Sequence, residues 1–183
     1  MSIKFTILGC GSSLGVPSPD GNWGRCNPKE KKNYRTRCSA MISDKNFTIL
    51  FDTSPDLRNQ LIRENIKKID KVFYSHGHAD QTHGINDLRI FSLRKKKKID
   101  IYTNIDTKKY LKNTFSYCFK DKFNYPAILQ FKKFKQSIFF NSKKSKINIK
   151  SITVEHGQIK SLAFIINNKC AYVSDANKIY NKD

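Results

Sequence analysis

The chain has four histidines, and three of them fall within eight residues of one another, together with an aspartate: His76, His78, Asp80 and His83. Neutral imidazole and carboxylate groups are ligands for Zn²⁺, Mn²⁺ or Fe. Because residues two apart in an extended segment point to the same side, His76 and His78 can bind one ion and leave Asp80 facing a neighbouring position. This density indicates a metal site rather than scattered surface histidines.

These side chains need elements that bring them together. The cluster follows the apolar run 72–74, which is typical of a buried strand, and each remaining candidate also follows a predicted strand: His156 after 147–154, Asp175 after 170–174 and Asp52 after 47–51. In layered α/β proteins the ligand crevice forms at the C-terminal ends of the strands. The convergence favours a catalytic metal site.

The chain resembles the metallo-β-lactamase fold hydrolases. The resemblance is carried by the His-x-His-x-Asp motif at 76–80 and by four other segments, at 5–15, 51–56, 155–157 and 174–175. Together with 83–89 they are most similar to the branch of PhnP-like phosphodiesterases. The resemblance implies a metal-dependent hydrolase, a phosphodiesterase acting on a small cyclic or nucleotide-like phosphoester, with one or two divalent ions, Zn²⁺ or Mn²⁺.

The same resemblance implies a division of roles. His76, His78 and His156 would hold one metal ion. Asp80 would help to hold a second ion and would orient or deprotonate the nucleophilic water, and Asp175 would bridge the two ions.

Three further residues lie near the predicted site, and two of them, His83 and Asp52, have two open interpretations each. Gln81 stands where the family has a histidine, and its amide oxygen is a weaker ligand than imidazole. His83 is either a substitute ligand or a residue outside the ligand set at the start of a helix. Asp52 either fixes the tautomer of a histidine or accepts hydrogen bonds from the backbone of the turn 52–54.

The predicted fold is α/β, a metallo-β-lactamase-type αββα sandwich formed by a single domain over residues 1–183. Helices are predicted at 54–65, from near His83 and at 106–117, and an irregular insertion is predicted at 118–146. Strands are predicted near 3–9, 39–43, 47–51, 71–75, 99–103, 147–154, 162–166 and 170–174. The chain ends eight residues after Asp175. We therefore expect the C-terminal strand and helix to be missing, and we favour a truncated gene product over an enzyme that has degenerated toward one metal.

Composition narrows the class of protein and its partners. The formal net charge is +20, with a basic run at 94–98, and this charge favours anionic substrates. Nucleic acid is a less favoured partner, because the lysine runs do not alternate with aromatic residues suited to base stacking. Five cysteines without a CxxC pair indicate reduced thiols and a cytoplasmic protein without a structural zinc. We expect no membrane partner, and a homo-oligomeric state is left open.

Two alternatives to the phosphodiesterase remain. One is a ribonuclease Z-like tRNA 3′-processing endonuclease, disfavoured because no long flexible arm is recognisable. The other is a metal-binding module that has lost catalysis. The glycines of 9–15 do not have dinucleotide-binding spacing and are followed by Pro17 and Pro19, so they predict a tight loop. Cys38 is predicted to be a core residue, since no histidine is free to activate it.

Overall fold

The computed structural model describes residues 3–141 and 146–180. Four α-helices and eleven strands follow in this order: β1 (Lys4–Gly9), β2 (Ser39–Ser43), β3 (Thr48–Phe51), α1 (Leu57–Arg63), β4 (Lys71–Phe73), α2 (Ala79–Thr82), α3 (Arg89–Lys95), β5 (Ile99–Tyr102), α4 (Ile105–Thr114), β6 (Leu129–Phe131), β7 (Ser137–Asn141), β8 (Lys146–His156), β9 (Ile159–Ile166), β10 (Cys170–Tyr172) and β11 (Lys178–Ile179). Short 3₁₀ turns lie at Lys31–Asn33, Ile85–Leu88 and Ser116–Cys118.

The first sheet has the strand order β1-β2-β3-β4-β5-β6. Its first three strands are antiparallel, and β3 to β6 are parallel. Phe51 pairs with Phe73, and Phe73 pairs with Tyr102, so β3, β4 and β5 end at the same edge. The residues that follow these strands therefore lie side by side at one end of the sheet.

The second sheet is antiparallel and is built around the long strand β8. Strand β9 pairs with β8 from Ile149 to His156, while β7 pairs with residues 146–150 of β8 and β11 pairs with residues 154–155. The two sheets are joined directly where the backbone N–H of Leu162 in β9 donates to the carbonyl of Ser75 (2.9 Å). This bond holds the segment after β4 against the second sheet.

Two apolar cores separate the layers. Helices α1, α3 and α4 contribute Leu57, Phe91 and Leu111 to a core on one face of the first sheet. The core between the two sheets is rich in aromatic rings, with Phe51 lying 5.4–5.7 Å, centroid to centroid, from three others, Phe73, Phe164 and Tyr172. Packed aromatic rings of this kind bury large apolar areas and hold the sheets that carry the site.

The predicted mixed α/β class with two sheets is confirmed, and most predicted strands fall within a few residues of the observed ones. Strand β11 lies in the polar tail, where the sequence predicted none. The described part of 118–146, which leaves out 142–145, is also more regular than predicted, since it contains β6 and β7. Alternate residues of β7, among them Ile138 and Phe140, pack on the core between the sheets. The absence of a C-terminal strand and helix stays a prediction.

The helix predicted over 54–65 is shorter and begins at Leu57. Ser54 does not cap it: the Ser54 hydroxyl accepts a hydrogen bond from the N–H of Asp56 and forms a turn before the helix. The carboxylate of Asp56 binds Arg37 instead of the helix end (2.7 and 2.9 Å). The helix predicted to start near His83 begins two residues later, as the 3₁₀ turn Ile85–Leu88 that continues into α3, whereas His83 itself is the C-cap of α2. Among the described residues, no helix is both long and apolar enough to cross a bilayer.

Candidate metal centre

Three histidines from two parts of the chain meet at the edge where the parallel strands end. His76 follows β4, His78 precedes α2, and His156 is the last residue of β8. One ring nitrogen from each lies within 4.8 Å of the other two. His78 Nδ1 is 3.2 Å from His156 Nε2, a separation that two ligands of one tetrahedral ion would have.

The His76 ring has the environment that a metal ligand requires. It is 1% exposed, and its Nε2 is buried without a hydrogen-bond partner among the described residues. Burial first, and then the nearby rings of His78 and His156, lower the pKa of His76 to about 4. The imidazole is therefore neutral at physiological pH, as metal binding needs. A buried nitrogen with a free lone pair and no protein donor fits a divalent cation.

A chain of hydrogen bonds fixes the tautomer of this ring. The Ser75 hydroxyl donates to Asp52 Oδ2 (2.8 Å), so its oxygen is free to accept from the Nδ1–H of His76 (3.0 Å). With the proton on Nδ1, the lone pair of Nε2 points into the cluster. Ser161 Oγ lies 3.4 Å from the same Nδ1.

Asp52 therefore acts on His76 through Ser75 and does not contact a histidine itself. Its carboxylate also accepts the backbone N–H of Ser75 (2.8 Å) and the hydroxyl of Tyr172 (2.9 Å), rather than the amides of the turn 52–54. The side chain is fully buried, and burial raises its pKa to about 7 against the opposing effect of these hydrogen bonds. Sequence reasoning missed Ser75, Ser161 and Tyr172; the only available signal was a hydroxyl residue directly before the motif.

Asp80 and Asp175 border the same site from α2 and from the segment after β10. Asp175 Oδ2 is 3.8 Å from His76 Nε2. Gln81 lies between the two carboxylates: its Nε2 is 3.1 Å from Asp80 Oδ2 and 3.1 Å from Asp175 Oδ2. The glutamine thus faces the site as a hydrogen-bond donor and not as the weak oxygen ligand predicted from the sequence.

The backbone around α2 holds Gln81 in place. The N–H of Thr53 donates to the carbonyl of Gln81 (2.7 Å), and the N–H of Gly84 donates to the carbonyl of Thr53 (2.9 Å). A Cβ at Gly84 would lie 2.1 Å from the carbonyl oxygen of Ser54, so this close approach requires glycine. The segment after β3 therefore fixes the position of α2.

His83 lies outside the histidine cluster. Its ring is exposed, with Nε2 at 3.4 Å from the hydroxyl of Tyr110 and the edge of Phe115 at a centroid distance of 5.5 Å. Tyr110 also packs against Gly77, where a Cβ would lie 3.1 Å from the tyrosine ring. Of the two interpretations left open for His83, the geometry favours the one outside the ligand set.

Two other features have structural roles. Burial raises the pKa of the Cys38 thiol to about 11, and its Sγ lies 3.4 Å from the Tyr172 hydroxyl, which is unfavourable for a nucleophile. In the glycine-rich loop, a Cβ at Gly9 would lie 2.1 Å from the carbonyl of Arg37, which explains the need for glycine there.

A groove of about 570 Å³ between α1 and α3 is lined by other residues and includes none of the histidines.

A family model described as the beta-lactamase superfamily domain matches residues 48–182. The chain belongs to this family. The resemblance predicted from the motifs is thereby confirmed, and a structural neighbour in the PhnP family supports the predicted branch.

Individual relatives agree on the fold. A crystal structure described as a new diphosphatase from the PhnP family is 29% identical and superposes with a TM-score of 0.77, covering 91% of this chain and 62% of its own. Two more distant structures share the fold. Zinc-bound PqqB from Methylobacterium extorquens is 16% identical, with a TM-score of 0.68, and the match covers 98% of this chain and 67% of its own. The short form of human tRNase Z is 18% identical, with a TM-score of 0.59, and the match covers 93% of this chain and 67% of its own.

A curated relative is much longer than this chain. An octanoyltransferase of Porphyromonas gingivalis (strain ATCC BAA-308 / W83) is 27% identical over 180 residues, which are 97% of this chain and 35% of that protein. The chain thus spans about a third of the length of the curated relative it matches. The name octanoyltransferase belongs to a protein that extends far beyond the matched region.

Proposed function

We propose that this superfamily hydrolase is a phosphodiesterase that cleaves small cyclic or nucleotide-like phosphoesters with a divalent metal held by His76, His78 and His156. The observation that carries the proposal is the buried Nε2 of His76, which has no hydrogen-bond partner among the residues that the structure describes and lies 3.8 Å from Asp175 Oδ2 in a cluster of three imidazoles. A divalent ion bound there would polarise a phosphoryl oxygen and lower the pKa of a water molecule.

The protein's own groups have separate tasks in this proposal. Asp80 is partly exposed beside the cluster, so its carboxylate can orient the attacking water and accept its proton. Ser75 and Asp52 keep the His76 ring in one tautomer and orientation. Asp175 adds negative charge at His76 Nε2, which strengthens the attraction for a cation.

Two independent observations support a substrate that carries an anionic phosphoryl group. The similar protein with 29% identity is described as a diphosphatase. The formal net charge of +20 also makes the whole surface attractive to anions and raises their local concentration.

The direct test is hydrolysis of bis-(p-nitrophenyl) phosphate by purified protein supplied with Mn²⁺ or Zn²⁺. We expect metal-dependent release of nitrophenol that stops with a chelator and in His76→Ala, and that persists in His83→Ala, a matched histidine outside the cluster. Failure of folded, metal-loaded protein to cleave this ester, cyclic nucleotides or a nucleotide diphosphate would contradict the proposal and favour a binding module without catalysis.

A ribonuclease Z-like activity is the second candidate, supported by the basic charge and by the shared fold with tRNase Z. Within the described part of 118–146, β6 pairs in the first sheet and β7 in the second, so these residues form sheet edges instead of a separate arm. Cleavage of precursor tRNA in preference to the small ester would support this candidate. The cytoplasmic location stays a prediction.

A further inference from the structure

The side chain of Gln81 occupies the space between two carboxylates of the site. It is 1% exposed, and its amide nitrogen is 3.1 Å from Asp80 Oδ2 and 3.1 Å from Asp175 Oδ2. A primary amide carries two hydrogens on nitrogen, so each carboxylate can accept one of them. The NH₂ group therefore links Asp80 to Asp175.

We propose that the site binds a single divalent ion, at the three histidines, and that the Gln81 amide takes the place of a second cation between Asp80 and Asp175. This inference rests on the proposed metal-dependent function and specifies its stoichiometry. Two carboxylates that face each other repel unless a positive group lies between them. The partial positive charge of the NH₂ hydrogens supplies that group without a metal.

The orientation of the amide is fixed by its surroundings. If the side-chain amide of Gln81 were rotated by 180°, its Oε1 would face two carboxylates, which repel it. Both amide hydrogens would then lie where Oε1 now lies. That position is buried and has no hydrogen-bond partner among the described residues, so the hydrogens would gain no acceptor there. A second cation would thus have to displace a well-placed donor and would gain a poor ligand set.

Gln81 is also linked to the first ion site through one atom. The same Asp175 Oδ2 that accepts from Gln81 lies 3.8 Å from His76 Nε2. The amide thereby keeps this carboxylate facing the histidine cluster. Gln81 is a positioning residue in this arrangement, and it acts on the metal through Asp175.

The experiment counts metal ions by native mass spectrometry. The protein and its variants are stripped with a chelator, dialysed, and titrated with Zn²⁺ and, separately, with Mn²⁺. We expect one tightly bound ion in the wild type and two in Gln81→His and Gln81→Glu, because each substitution removes the bridging donor and adds a metal ligand. The affinity for the second ion should rise at least tenfold, the lower end of the range seen when groups that support a metal site are altered.

Gln130→His is the matched control, since Gln130 also donates from Nε2 to a carboxylate, Asp100 Oδ1 (2.8 Å), but outside the site. We expect it to keep one ion. Two ions in the wild type would overturn the inference while leaving the proposed function intact, and so would one ion in both folded Gln81 variants. No bound ion in the wild type would overturn the proposed function itself. Gln81→Glu is close in shape to the wild-type residue, so it tests the inference if Gln81→His does not fold. If neither variant folds, the number of ions bound by the wild-type protein decides whether the site holds one ion or two.

Discussion

The two halves of the site differ in what satisfies their polar atoms. In the histidine half (His76, His78 and His156), the buried Nε2 of His76 has no protein partner among the described residues. In the carboxylate half (Asp80, Gln81 and Asp175), a protein amide links both acids. Unsatisfied buried polar atoms are costly, so the unpaired nitrogen of the histidine half favours binding of a cation. In the carboxylate half the two acids already share a protein donor, and the unpaired atom there is Gln81 Oε1, which lies on the other end of the amide from the acids. Residues of ligand type that lie beside each other can therefore have different tasks, since a protein donor satisfies the acids while the imidazole nitrogen is left free for a cation.

The largest contrast should come from one substitution in each half. His78→Ala removes an imidazole of the cluster, and we expect it to abolish tight metal binding and nearly all hydrolysis. Asp80→Asn keeps an acceptor for Gln81 but cannot take up a proton, so the metal should stay bound while kcat falls by about 10²–10⁴-fold. Equilibrium dialysis with elemental analysis, together with steady-state kinetics, measures both effects. Equal metal retention in the two variants would remove the distinction between the halves.

A smaller effect is expected from the support of the histidine half. Ser75→Ala removes the link between Asp52 and His76, and the metal affinity should fall by about 10–100-fold. The unfolding free energy should fall by about 1–3 kcal/mol, because the buried Asp52 loses a donor. Ser161→Ala is the control, since Ser161 lies farther from His76 Nδ1 (3.4 Å against 3.0 Å). If Ser161→Ala weakened metal binding as much as Ser75→Ala, the special role of Ser75 would be contradicted.

The smallest effect concerns the pH dependence of stability. Asp52 has a pKa raised to about 7 in the folded protein, whereas its ordinary value is 3.8. The folded state therefore keeps a proton that the unfolded state has lost between these pH values, and this stabilising contribution declines as the pH rises toward about 7. Linkage limits the slope to about 1.4 kcal/mol per pH unit for one proton.

Asp52→Asn isolates this contribution. His76 has the opposite dependence, because its lowered pKa of about 4 makes stability fall as the pH drops, but it is present in both proteins and should cancel. Urea unfolding of metal-free protein from pH 5 to 8 should show the variant gaining stability relative to the wild type as the pH rises. A constant difference across this range would show that Asp52 does not titrate as described.

The sequence was sufficient for residues whose positions follow from strand ends. His76, His78 and His156 each follow a recognisable strand, so their convergence could be predicted from periodicity and from the family resemblance. The sequence was not sufficient to predict hydrogen-bond partners that lie far apart along the chain. Tyr172 contacts Asp52 from 120 positions away, and Gln81 contacts Asp175 from 94 positions away. Such contacts depend on how the two sheets pack, and no local pattern encodes them.

X-ray absorption spectroscopy of the zinc-loaded protein tests most directly whether the three imidazoles form the metal centre. The expected result is an inner coordination shell of nitrogen and oxygen at about 2.0–2.1 Å with the multiple scattering of three histidine rings. A shell that lacks imidazole scattering, or one that contains sulfur at about 2.3 Å from any of the five free cysteines, would contradict it.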